Sequence, residues 1–123
     1  MGRQSFTNSL KNAAKGLWRT AREERNLQIH LLATVMVLLA GAFFQVKVWE
    51  WIVLLLVCGS IIILELMNTI FEKVVDFMSP KMSSYVKTVK DMMAATVLIA
   101  AIGSVIIGIL IFGPYVLELF SKF

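Results

Sequence analysis

WIVLLLVCGSIIILELMNTIFEKVVDFM, residues 51–78, is uncharged from Trp51 to Leu64 and then turns sharply polar. Its apolar positions keep helical spacing throughout. At about 1.5 Å per residue such a helix runs for about 40 Å, longer than a ~30 Å hydrocarbon core, so it crosses a membrane and its end emerges. Glu65, Asn68, Thr69, Glu72 and Asp76 stand at i, i+3, i+4, i+7 and i+11, on one face of that helix. With Glu50 as the outer boundary, Glu65 lies about 22 Å along and Glu72 about 33 Å, which puts Glu65 under the inner leaflet and Glu72 at its surface. A charge inside hydrocarbon costs about 2.5–3.5 kcal/mol on the lenient insertion scale, so Glu65 is a functional candidate by default. Asn68 and Thr69 alone would be read as bonds to another helix.

Two further apolar runs flank this one. Leu31 to Val46 has no charge and gives a first span over 29–46, closed by a tight turn at Lys47, Trp49, Glu50 and Trp51. The second span is 51–78, stopped by Ser79 and Pro80. A polar connection covers 79–89, and a third span, 92–117, ends near Gly113 and Pro114. Ahead of them, over 5–25, Phe6, Leu10, Ala13, Leu17 and Ala21 recur at helical spacing, while Lys11, Lys15, Arg19 and Arg22 take another face. That is a helix lying on the membrane surface, with each basic side chain drawn to anionic headgroups by about 1 kcal/mol. The expectation is an all-α integral membrane protein: an amphipathic surface helix plus three transmembrane helices in one domain spanning 1–123.

Composition agrees. Hydrophobic residues make up 59% of the 123, and the mean hydropathy of +0.80 is beyond a soluble domain of this length. The polar, basic stretch before the first span, with no small-residue cleavage site after it, does not read as a signal peptide. One cysteine, Cys58, allows neither a disulfide framework nor a thiolate metal cage. Six Lys and Arg precede Asn26 and four lie between Lys73 and Lys90, against Lys47 and Lys122 elsewhere. The positive-inside rule then puts the N-terminus and the 79–89 connection in the cytoplasm and the C-terminus outside.

Glu23, Glu24 and Asp91 fall on the same cytoplasmic level as Glu65, Glu72 and Asp76, so six of the eight carboxylates gather there. Such crowding repels itself unless cations intervene, and oxygen ligands of this kind suit Mg²⁺ held through one or two carboxylates plus substrate phosphates. Lys90 beside Asp91 can act as a point charge for phosphate. Carboxylates, a metal and a lysine at a membrane surface fit phosphoryl transfer, where catalysis is positioning and charge neutralisation. A small transporter with an intramembrane carboxylate is the alternative of another class. It places its carboxylate near the midplane and accounts for Glu65 only, leaving Glu72, Asp76, Lys90 and Asp91 unexplained. A surface anchor explains the N-terminal helix but not the stripe.

The segments AAKGLW (13–18), EERN (23–26), ELMNTIFEKVVD (65–76) and KDMMAATVL (90–98) resemble the prokaryotic diacylglycerol kinase family, over nearly the whole chain. EERN and the turn at Trp49–Trp51 look more like its Gram-positive branch, the undecaprenol kinases. The resemblance implies a homotrimeric bundle in a bacterial plasma membrane that passes the γ-phosphoryl group of ATP to a lipid alcohol, undecaprenol in that branch and diacylglycerol in the other. It implies Glu65 as general base and Glu24 and Glu72 as Mg²⁺ ligands on the ATP phosphates. Lys90 and Asp91 would engage the nucleotide, Asn68 would sit between base and metal, and Asp76 would shape the nucleotide pocket. It also implies sites built partly from different protomers, bringing Glu24 to Glu72. Met93, Ile70, Phe71 and the connection at Lys81–Ser84 depart from the family's usual residues.

His30, at the membrane boundary, could be a shuttle or a ligand, but it reads first as an interfacial histidine packing near headgroups, since no second histidine accompanies it. Trp49 and Trp51 read as belt anchors, Tyr85 as a solvated loop residue and the seven methionines as packing.

Overall fold

The computed structural model describes residues 3–78 and 84–123 as four helices: α1 (Arg3–Glu23), α2 (Arg25–Phe44), α3 (Val48–Met78) and α4 (Ser84–Ser121). Three of them, α2, α3 and α4, are long and apolar enough to cross a membrane. Their 20, 31 and 38 residues correspond to about 30, 46 and 57 Å, so α3 and α4 project beyond a ~30 Å core. α3 is the central element, packed on both α2 and α4, and α1 rests against α2.

Several boundaries differ from the sequence reading. Ser79 and Pro80, expected to stop the second span, and residues 81–83 of the connection lie outside the described residues. Ser84–Val89, expected in that connection, are the first turns of α4. They contain neither Gly nor Pro, and the Thr88 hydroxyl donates back to the Ser84 carbonyl (2.9 Å) as a helical hydroxyl can. α4 also runs through Gly113 and Pro114 to Ser121. Pro114 removes only its own bond to the Leu110 carbonyl, and Gly113 brings no Cβ against the ring.

The α2–α3 turn is tightly specified. Gln45 adopts the left-handed conformation (φ 51°, ψ 53°). Its N–H donates to the Ala42 carbonyl (3.3 Å) and that of Val46 to the Gly41 carbonyl (3.1 Å), the paired bonds of a Schellman ending. Glu50 then starts α3: its carboxylate accepts the Lys47 N–H at 2.9 Å, the back-reaching half of a capping box, and the Tyr115 hydroxyl of α4. Beneath the turn Val46, Leu54 and Ile111 are buried, with Phe44, Trp51, Phe112 and Tyr115 around them. Trp51 is half-buried and packs into this cluster, while Trp49 is exposed. The indole of Trp51 lies so close to Gly41 that an added Cβ would meet it at 2.7 Å.

That approach is testable. Gly41→Ala is expected to destabilise the chain by about 1–3 kcal/mol through overpacking, read as a lower thermal midpoint in detergent micelles. Combining it with Trp51→Leu should cost less than the sum of the two single changes, and strict additivity would count against the contact.

Candidate functional site

At the end of the bundle away from the α2–α3 turn, α1 gives way to α2 through one non-helical residue, Glu24 (φ −102°, ψ 112°). Two neighbours fix this corner. Leu27 is completely buried, and the Gln28 side-chain amide donates to the Ala21 (2.8 Å) and Arg22 (3.1 Å) carbonyls, satisfying acceptors that the end of α1 leaves open. An ion pair between Lys73 of α3 and Glu23 (3.6 Å) ties α1 to α3 on the exposed side. The corner thus presents Glu24, half-buried, towards the polar stripe of α3.

On α3 the stripe turns inward. Glu65 is 4% exposed, Asn68 7% and Thr69 4%, and Glu72 is half-buried. Glu65 lies within electrostatic reach of His30, Glu72 and Glu24. All three groups belong to the same chain as Glu65. Asn68 Oδ1 is a buried side-chain acceptor with no hydrogen-bond partner among the described residues.

His30 corrects the sequence reading. It does not merely pack at the interface: its Nε2 lies 3.7 Å from Glu65 Oε2, with the side chains 22% and 5% exposed. A lone histidine offers no spacing pattern, and only the α2–α3 packing reveals the pair. Gln28 was equally silent, because its partners are backbone carbonyls.

Lys90 and Asp76 also come together, as an ion pair that bridges α4 and α3 one turn beyond Glu72. Lys90 is thus already engaged by a carboxylate, whereas Asp91 is exposed. Tyr85 is exposed too, but on helix α4 and not on a loop. Among the described residues no three His, Cys, Asp or Glu side chains converge to cage a metal by themselves. Glu24 and Glu72 are two carboxylate donors, which suits an ion that keeps waters and phosphate oxygens as its remaining ligands.

The chain matches the family model described as prokaryotic diacylglycerol kinase over residues 11–112. It is 40% identical over 109 residues to an undecaprenol kinase of Bacillus subtilis, covering 89% of each chain. It is 34% identical over 112 residues to a diacylglycerol kinase of Synechocystis sp., covering 90% of this chain and 64% of that one. A diacylglycerol kinase of Helicobacter pylori is likewise 34% identical over 112 residues, 91% of this chain and 82% of the relative. No solved structure matches it significantly.

A buried acceptor without a partner is a stability cost that a binding site retains for its ligand. Asn68→Val, apolar and nearer in volume than a longer aliphatic chain, is expected to keep or raise the thermal midpoint in micelles, by up to about 1 kcal/mol, while lowering activity at least tenfold. Loss of stability and activity together would make Asn68 a structural residue instead.

Proposed function

The chain belongs to the prokaryotic diacylglycerol kinase family and is a membrane lipid kinase; from that premise we propose that it transfers the γ-phosphoryl group of ATP to the hydroxyl of undecaprenol, giving undecaprenyl phosphate. The observation that carries this reading is that Glu24 and Glu72 lie within electrostatic reach of Glu65, a buried carboxylate on a membrane-spanning helix. A site for a water-soluble acceptor has no need of a base inside the apolar layer. The undecaprenol kinase relative supports the isoprenoid alcohol over diacylglycerol, with 40% identity against 34% for the diacylglycerol kinases.

In this reading the alcohol enters sideways from the bilayer and Glu65 accepts its proton during in-line attack. A groove of about 370 Å³ between α1 and α3 supports that approach: Ala13, Gly16, Leu17 and Thr20 form one wall and Leu66, Thr69 and Ile70 the other. Thr69 lies one helical turn from Glu65, so a chain in the groove brings its hydroxyl near the base. Ile70, a departure from the family pattern, narrows that groove. Glu24 and Glu72 would hold Mg²⁺ on the ATP phosphates, where the ion supplies charge neutralisation. Asn68 would lie between base and metal, Lys90 and Asp91 would meet the nucleotide, and the Lys90–Asp76 pair would border its pocket. The charge distribution supports a cytoplasmic N-terminus and an external C-terminus in the bacterial plasma membrane. A homotrimer follows from the family resemblance, and it would cover apolar faces that the three spans leave open.

Phosphate transfer from radiolabelled ATP in mixed micelles tests the reading, with undecaprenol and diacylglycerol offered side by side. Mg²⁺-dependent labelling of undecaprenol, at least tenfold above diacylglycerol, is the expected result; preference for diacylglycerol would move the substrate. Glu24→Gln and Glu72→Gln are each expected to raise the Mg²⁺ concentration needed for half-maximal rate. An unchanged metal response in both would remove them as metal ligands.

A further inference from the structure

Glu65 is enclosed at 4% exposure, and a base so placed must pass on the proton it takes, once in every turnover. Its surroundings offer few routes. Glu72 and Glu24, the other groups whose charge it feels, are anions. Two lysines at this end of the bundle are paired with other carboxylates, Lys73 of α3 with Glu23 and Lys90 of α4 with Asp76, and among the described residues no lysine or arginine charge acts appreciably on Glu65. His30 of α2 is left, 3.7 Å from Glu65 Oε2 and more than four times as exposed, at 22% against 5% for the side chains. It lies five residues into α2, about 8 Å along the helix from Arg25, at the level where water reaches.

We propose that His30 is a positioning residue that acts through Glu65: its imidazole orients the carboxylate and carries the lipid hydroxyl's proton from it to water. The proposal rests on Glu65 being the base. His30 Nε2 is nearest Oε2, at 3.7 Å, and we assign Oε1 to the alcohol. As the alcohol oxygen bonds to the γ-phosphorus, the bond from that phosphorus to the β–γ bridging oxygen breaks and its electron pair leaves with ADP. The hydroxyl proton passes to Glu65 Oε1. The carboxyl group then turns so that the oxygen bearing the proton faces His30, and Glu65 passes that proton to Nε2 of the Nδ1–H imidazole, so that a buried neutral acid becomes a carboxylate beside an imidazolium. Nδ1 releases its proton to water, and proton exchange with water at the exposed edge of the ring returns the imidazole from its Nε2–H to its Nδ1–H form, which restores the pair. An imidazole suits this because it changes charge near neutral pH, which an amide of similar reach cannot do.

The test uses the full-length protein in mixed micelles with Mg·ATP and the lipid alcohol. His30→Gln is expected to lower kcat by about 10²-fold, the usual scale for general acid–base contributions, with KM for Mg·ATP unchanged within twofold. His30→Ala provides the second measurement: added imidazole should restore its kcat at least tenfold, an effect that no packing role predicts. A His30→Gln enzyme with wild-type kcat, or a helical His30→Ala enzyme that ignores imidazole, overturns the proposal. Glu65→Gln in the same assay separates the two layers. If it turns over normally the base assignment itself fails; if it is inactive while the His30 variants behave as wild type, only the relay fails.

Discussion

The structure depends on one constraint, the expense of keeping an ionisable carboxylate within a helix that crosses a membrane. Left alone among lipid chains Glu65 would cost several kcal/mol or be held neutral. The surrounding helices change that setting: α3 turns Glu65 inward, α2 brings His30 to its Oε2, and the α1–α2 corner delivers Glu24. Each of these is expensive alone and useful together. The carboxylates of Glu24 and Glu72 repel Glu65, so the arrangement makes chemical sense when cationic charge joins it, which is what a metal–nucleotide complex brings.

The two ends of the bundle are built by different means. At the α2–α3 turn the polar groups are fully used: Glu50 accepts from Lys47 N–H and from Tyr115, and Gln45 and Val46 close the end of α2. Apolar side chains fill the space below. At the α1 end a buried acceptor, Asn68 Oδ1, has no partner among the described residues, and carboxylates gather. One end has its buried polar groups partnered; the other leaves Asn68 Oδ1 unpaired among the described residues. That division is the usual signature of a site whose binding capacity costs stability.

Much of this was legible in the sequence. Apolar runs of membrane length are set by the bilayer, so the three spans could be read from residues alone. The stripe from Glu65 to Asp76 was legible because helical periodicity places residues on a face without reference to any other element. What stayed hidden depends on contacts between elements. His30 pairs with Glu65 across two helices, Gln28 bonds backbone carbonyls, and Trp51 packs on Gly41; none leaves a periodic trace. The start of α4 at Ser84 was missed because polar residues were read as a connection, although nothing in Ser84–Val89 breaks a helix.

The central claim is that Glu65 takes the proton of a lipid alcohol whose phosphoryl donor is already bound. A single-turnover experiment addresses it most directly: Glu65→Gln protein in excess over labelled ATP, with bound nucleotide and phosphorylated lipid measured on the same sample. Nucleotide retained at wild-type affinity with phosphoryl transfer slowed by about 10²-fold or more is the predicted result. Transfer at the wild-type rate, or loss of nucleotide binding as the sole defect, would contradict it and move the base elsewhere on the stripe.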